Sequence, residues 1–233
     1  MKEFKAEQVN AGLFLFYEVF NMKIKKWIDA SEAIEAYEKN IEKIIDDRRR
    51  AEKEALRVDP ITSRKDIEKV KRYLLKKDER YHLIFVLGIN TGLRISDIVS
   101  LKVKQIYKKE YIYVKEQKTG KPNKIIINDS AMEAIDEYCY DLSKEDYLFP
   151  SQKGKYLKEK TVYKELKKAF KKCRLRGNFG THTLRKTHAW HVNDVAGLEM
   201  AQWALNHDNQ SDTLKYLGIQ QKALDKVIGG LNL

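Results

Sequence analysis

The chain has 233 residues, of which 46 are lysine or arginine and 34 aspartate or glutamate, giving a formal net charge of +12. That length holds one full-sized domain with an appendage, and 42% hydrophobic residues with only three prolines exclude a disordered or proline-spaced chain. Two cysteines exclude a disulfide framework, no apolar run reaches the roughly 18 residues of a membrane span, and the charge favours a phosphate polyanion, nucleic acid before lipid, as partner.

Residues 1–58 read as a short helical appendage. Leu13-Phe14-Leu15-Phe16-Tyr17 is a packing segment with no small-residue cleavage site after it. From Asp29 to about Val58 runs a strongly charged helix, opened by an Asp29-to-Glu32 capping box, with Ile34, Tyr37, Ile41, Ile44 and Ile45 on one stripe. Asp59-Pro60 breaks it, because the residue before proline avoids the helical region, and the domain boundary is expected there, leaving 59–233 as the main domain. Ser63 caps a helix through about Lys77 with Ile67, Val70 and Leu74 inward, and Leu83–Leu87 is a short buried helix ending near Gly92. A three-stranded antiparallel patch is expected next, near Val103–Ile106, Tyr111–Glu116 and Lys124–Asn128, with Lys118-Thr119-Gly120-Lys121 as its last turn. Ser130 and Glu133 form another capping box, starting a helix to about Tyr140. Thr161–Cys173, Leu184–Ala196 and Leu198–Leu205 pattern as helices, and a short helix carries Tyr216. The expected class is mainly α with one small antiparallel three-stranded sheet.

Three blocks carry chemistry. Thr181-His182-Thr183-Leu184-Arg185 puts an imidazole and a guanidinium three residues apart on one helical face. Leu205-Asn206-His207 and Thr213-Leu214-Lys215-Tyr216 follow, with Tyr216 thirty-one residues beyond Arg185. Upstream, Thr91-Gly92-Leu93-Arg94-Ile95-Ser96-Asp97 supplies a second arginine. Two arginines, a histidine and a phenol suit the holding of a phosphodiester while an oxygen nucleophile attacks it. Each has a plainer reading when taken alone: Tyr216 as one half-buried aromatic among 13 tyrosines, Arg94 as a surface charge beside Asp97, Thr91-Gly92 as a helix terminus. Their joint occurrence lifts the chemical reading above these.

Together the blocks resemble the tyrosine recombinase, or phage integrase, family over roughly residues 61–220, the catalytic domain; the nine residues from His207 to Tyr216 match that family's usual interval. The resemblance implies that Arg94 and Arg185 clamp the non-bridging oxygens of a scissile phosphate and stabilise its pentacoordinate transition state. It implies Tyr216 as the nucleophile, leaving a 3′-phosphotyrosyl bond and a free 5′-hydroxyl, with His182 helping to deprotonate a phenol whose ordinary pKa is about 10. Lys118, within Glu116-Gln117-Lys118-Thr119-Gly120-Lys121, matches the hairpin lysine that protonates the leaving 5′-oxygen, with Lys115 and Lys121 beside it. His207 stands at the second histidine position, a donor to the phosphate, and Asp97 at the acidic position that orients side chains.

The implied partner is double-stranded DNA, bound as a tetramer, with a monomer or dimer free in solution and accessory DNA-bending or directionality proteins. No metal, ATP or other cofactor is implied, and the setting is the bacterial cytoplasm, with a phage or another mobile element as origin. Two rivals stay open: cleavage and resealing without exchange, as in type IB topoisomerases, and a catalytically idle DNA-binding regulator on the same fold. The family's usual four-helix core-binding module exceeds what residues 1–58 can build, and its usual glycine before the second histidine is Asn206 here. In the tail, Leu224, Val227 and Ile228 share a face that suits packing on the chain's own core or on a neighbouring subunit.

A basic surface supports the same partner. Lys153, Lys155, Lys158, Lys160, Lys164, Lys167, Lys168, Lys171, Lys172, Arg174 and Arg176 are opposed only by Glu159 and Glu165. Val162, Leu166, Ala169 and Phe170 form the buried stripe there, so the lysines spread over the remaining faces; Lys121, Lys153, Lys155, Lys164, Lys167, Lys168, Lys171 and Lys172 are the candidate DNA contacts. His188 and His191 lie at an i,i+3 step but lack partners at metal-site spacing, so they read as packed histidines.

Overall fold

The structure, a computed structural model, describes residues 58–152 and 155–218, together with 34, 35, 37–43, 45, 46, 49, 229 and 230. The chain divides into two units between Lys53 and Glu54. In the first unit the described residues are helical, and Ile34, Tyr37, Ile41 and Ile45 of the expected stripe are exposed. The Asp29-to-Glu32 cap, Ile44, the Leu13–Tyr17 segment and the tail residues Leu224, Val227 and Ile228 lie outside the described residues.

In the second unit, α1 (Arg64–Lys77) starts where the Ser63 hydroxyl accepts from the Asp66 backbone N–H at 3.3 Å, and it buries Val70 and Leu74. Asp78 ends α1 and caps α2 (Glu79–Thr91) by accepting from the Arg80 N–H at 3.0 Å. Leu83, Ile84, Phe85, Val86 and Leu87 are buried all round, so α2 is the hub on which α1, α5 (Asp129–Cys139) and α7 (His182–Ala204) pack. Gly88 permits a close approach of α7 to α2: a Cβ there would lie 2.6 Å from Leu184 Cδ1.

Two local expectations need correction. Val103–Ile106 is not a strand but a single helical turn, α4, following the short α3 (Ile95–Val99). Its two buried apolar residues, Val103 and Ile106, are spaced i,i+3, and the Gln105 side chain accepts from the Lys102 N–H at 2.8 Å to hold the turn. The sheet is therefore a two-stranded antiparallel hairpin, β1 (Tyr111–Lys115) with β2 (Pro122–Ile126), registered Tyr111 to Ile126 and Lys115 to Pro122. Isolated bridges outside the hairpin join Lys102 to Tyr147 and Pro150 to Tyr156. The second correction concerns α5, which is capped by Asn128 rather than Ser130: the Asn128 Oδ1 accepts from the Ala131 N–H at 3.0 Å, two residues ahead of the expected start.

The basic helix α6 (Glu159–Lys172) buries Val162, Leu166, Ala169 and Phe170, the stripe read from sequence. The two expected helices after it form one element, α7, interrupted at Gly197, whose φ of 85° and ψ of 175° are non-helical. Finally α8 (Gln210–Leu217), capped by Asn209, carries Tyr216. Ala189, Ala201, Leu205 and Leu217 form a second small core where α7 meets α8, with Tyr216 packed against it. Among the described residues no helix is long and apolar enough to cross a membrane.

Candidate active site

The site is assembled from helix ends. At the end of α2 the chain reverses through Gly92, in the left-handed region at φ 64°, where a Cβ would lie 2.6 Å from the His188 ring. This turn delivers Arg94 to the start of α3. From α7 comes Arg185, whose side chain spans two loops: Nη1 donates to the Gly92 carbonyl and Nη2 to the Leu205 carbonyl, each at 2.6 Å. The residue is 3% exposed. Burial, then repulsion from Arg94, lowers its affinity for the proton. The two guanidinium groups are thus held near each other against their repulsion, which the ion pair between Arg94 and Glu116 offsets in part.

Tyr216 meets them from α8. Its hydroxyl is buried without a hydrogen-bond partner among the described residues, and burial pushes its pKa up to about 12 against the opposing pull of Arg185 and Arg94. The ring lies edge-on to His207, with centroids 5.8 Å apart, and the buried Lys186 ammonium lies 5.3 Å from its centroid. His207 Nδ1 is 3.1 Å from the Thr213 hydroxyl. Asn206, just before it, has φ 51°, the left-handed conformation that asparagine tolerates best after glycine.

Lys118 stands exposed at the hairpin tip, and its charge is the strongest of those acting on His182. Burial, Lys118 and the two arginines hold His182 at a pKa of about 4. His207 sits at about 4 as well, through burial and then Arg185. Asp97 is 3% exposed; its Oδ1 accepts from the Gln117 N–H at 2.9 Å, and burial raises its pKa. Arg94, Lys118, His182, Arg185, His207 and Tyr216, drawn from five separated stretches, thus occupy one neighbourhood, with Asp97 fastening the hairpin beside it.

Several participants carried no role in the sequence reading. Glu116 is ion-paired with Arg94 Nη1 and accepts from Thr119 Oγ1 at 2.8 Å and Asn123 Nδ2 at 3.0 Å. Asn206 Nδ2 also reaches Glu116 Oε1, at 3.4 Å. A carboxylate at a strand end before a basic turn was the only available signal. Lys186 and Thr213 had none.

The packed-histidine reading of His188 and His191 agrees with the geometry. Carbonyl oxygens only accept, so His188 Nδ1–H donates to the Ile89 carbonyl at 3.1 Å and His191 Nε2–H to the Ile61 carbonyl at 3.2 Å. Among the described residues no three potential ligands are grouped for a metal ion. His188, like His182 and His207, is depressed to about 4, mainly by burial. All three therefore favour the fold in neutral form, a contribution present above the ordinary histidine pKa and lost as pH falls from about 6.5 through 4. Replacing His188 by asparagine, which can still donate to Ile89, is expected to flatten the stability slope over pH 4.5–6 by up to one proton, about 1.4 kcal/mol per pH unit. Urea unfolding at several pH values measures this; equal slopes for the two proteins would mean that His188 titrates freely.

Of the candidate contact lysines, Lys155, Lys164, Lys168, Lys171 and Lys172 are exposed and Lys167 is half-buried; Lys153 lies outside the described residues. Lys168 pairs with Glu165 at 2.7 Å, and Glu165 also pairs with Lys77 of α1. Lys121 pairs with Asp208, linking the hairpin to the loop before α8.

Comparison with known proteins places this geometry in context. The phage integrase family matches residues 61–222. "Probable integrase/recombinase YoeC" of Bacillus subtilis is 41% identical over 182 residues, covering 75% of this chain and 98% of that protein. Tyrosine recombinase XerC of Staphylococcus epidermidis is 30% identical over 161 residues, 65% of this chain but only 53% of its own length. The chain spans nearly all of the first relative and about half of the second. Among solved structures, the XerA recombinase superposes with TM-score 0.60 at 19% identity, covering 76% of this chain and 65% of that one. A λ integrase tetramer bound to a Holliday junction gives TM-score 0.56 at 21% identity, covering 69% and 48%. At these identities the structural likeness concerns the fold.

Proposed function

Because this chain belongs to the phage integrase family of tyrosine recombinases, we propose that it breaks and rejoins double-stranded DNA at specific sites through a covalent bond to Tyr216. The observation that carries the proposal is the Tyr216 hydroxyl, buried within the field of two arginines that are themselves the principal opposing influence on its pKa. Arg94 and Arg185 hold the non-bridging oxygens of the scissile phosphate and neutralise the charge that builds up at phosphorus. The Tyr216 oxygen attacks, its proton passes to His182, neutral at pH 7, and the bond to the 5′-oxygen breaks as Lys118 protonates that oxygen. A 3′-phosphotyrosyl bond and a free 5′-hydroxyl result. Attack by the 5′-hydroxyl of another strand reverses the step, so the bond energy is conserved and the chemistry consumes no ATP. His207 donates to the phosphate, and Asp97 orients the hairpin through Gln117.

In the DNA-free chain, burial opposes ionisation of the phenol, and of the two neighbouring cations Arg94 is ion-paired with Glu116, while Arg185 has no ion-paired carboxylate among the described residues. The phosphate supplies an anion, and its arrival is what makes the site competent. We assign the catalysis to residues 59–233, and an assembly of four subunits on paired DNA sites, exchanging one strand at a time, matches this chemistry. The bacterial cytoplasm is its setting.

Covalent capture tests the reading. A pool of nicked duplexes with randomised cores, incubated with the chain in chelator and resolved under denaturing conditions, should give a protein–DNA adduct whose DNA shares a core sequence. No adduct would leave the idle DNA-binding regulator. Adducts that relax supercoiled plasmid but give no exchanged product from paired sites would favour the topoisomerase-like alternative. The exposed lysines of α6 bring affinity without sequence choice. Neutralising Lys164, Lys167, Lys168 and Lys171 together should shrink the slope of log affinity against log salt by about 0.9 for each phosphate no longer neutralised. An unchanged slope would return the helix to ordinary surface.

A further inference from the structure

Glu116 lies one residue past β1 and is 1% exposed. Its carboxylate is held by four side chains from three separated stretches: Arg94 from the start of α3, Thr119 and Asn123 from the hairpin, and Asn206 from the loop between α7 and α8. Its backbone closes the turn that carries Lys118, the N–H donating to the Lys121 carbonyl at 2.9 Å and the carbonyl accepting from the Gly120 N–H at 2.8 Å. A buried carboxylate is an expensive way to fill a strand end, and an apolar residue would do so more cheaply if packing were the whole requirement. Although burial alone would raise its pKa, Arg94 and the Thr119 hydroxyl hold Glu116 below the usual carboxylate range, so it is charged at neutral pH.

We infer that Glu116 is a positioning residue for proton delivery: it fixes the Lys118 turn against Arg94 and the Asn206–His207 step, so that the hairpin lysine meets the leaving oxygen. This rests on the reading of Lys118 given above. Arg94 starts a helix whose Ile95, Ile98 and Val99 are buried, whereas Gln117, Lys118, Thr119 and Gly120 are exposed. The carboxylate therefore joins a packed side to an exposed one, and the exposed turn is what its loss would release. Asn206 contributes a contact that a glycine there could not make: its amide reaches both Glu116 Oε1 and the Pro122 carbonyl at 3.4 Å.

The experiment uses a core sequence captured by the unmodified chain, prepared in two forms: ordinary DNA, and DNA whose bridging 5′-oxygen at the scissile phosphate is replaced by sulfur. Sulfur leaves as a thiolate and needs no proton, so the second form removes the need for a general acid. Glu116→Gln, which keeps the shape but not the charge, and Thr119→Val, which removes the hydroxyl that donates to Glu116 and accepts from the Lys121 N–H at 3.3 Å on an exposed turn, should cleave ordinary DNA roughly ten- to a hundredfold more slowly. Both should cleave sulfur-bridged DNA within about threefold of the unmodified chain, as Lys118→Ala should. Equal slowing on both substrates, or no slowing on ordinary DNA, overturns the inference. Failure of the sulfur form to restore Lys118→Ala itself overturns the role of Lys118, and the inference with it. Using Thr119→Val as well keeps the outcome readable should Glu116→Gln fold poorly.

Discussion

Tyr216→Phe is expected to abolish covalent attachment to DNA completely while leaving non-covalent binding and the fold intact. The variant removes one oxygen, the atom that would bond to phosphorus. That oxygen is buried and without a hydrogen-bond partner among the described residues, so its loss relieves a desolvated polar group. The ring keeps its edge-on contact with His207 and its neighbour Lys186. Thermal stability should therefore stay level or rise, by up to about 1 kcal/mol, as activity disappears. Denaturing electrophoresis of nicked-duplex reactions measures the first effect, mobility shift the second and melting the third. An adduct formed by the phenylalanine variant would put the nucleophile elsewhere. A large fall in melting temperature would mean that the hydroxyl does structural work in this state.

The fold class was legible because its signals are local. Leu83–Leu87 is apolar on every side, which only a central buried helix satisfies, and Ser63, Gly92 and the stripe of α6 mark ends and faces within a few residues of themselves. The two misreadings were also local. Four residues with apolar ends, Val103 to Ile106, fit half a strand or one helical turn equally well, and here the Gln105 cap and the pairing of Val103 with Asp146 decided for the turn. At α5, Asn128 and Ser130 were both competent caps, and the asparagine came first in the chain.

The site divides along the same line. Histidine and arginine at an i,i+3 step, or arginine and aspartate after a glycine turn, announce themselves within one helix end. Glu116 does not, because Arg94 and Asn206 lie 22 and 90 residues away from it. Nothing in a strand-end carboxylate states which distant groups it will meet. Asn206 lay between these cases. Standing where the family usually has glycine, it does adopt a positive φ, but its side chain adds bonds that the backbone requirement alone does not foretell.

The arginines should separate by what each variant does to the fold. Arg185→Lys is expected to slow cleavage by about a thousandfold and also to cost roughly 1–3 kcal/mol of stability. One ammonium cannot reach both the Gly92 and Leu205 carbonyls, which the guanidinium bridges from two different nitrogens, and a buried carbonyl would be left unpaired. Arg94→Lys should slow cleavage comparably but cost less stability than Arg185→Lys, since a lysine still offers the buried Glu116 a positive charge. Urea unfolding and single-turnover cleavage, run on the same preparations, give the two readouts. Equal stability losses would mean that the carbonyl bridge is incidental. The expected split follows from where Arg185 sits: Leu205 immediately precedes the left-handed Asn206 and then His207, so the guanidinium proposed to hold the phosphate also fixes the loop presenting the second histidine. Its loss from either task is a loss from both.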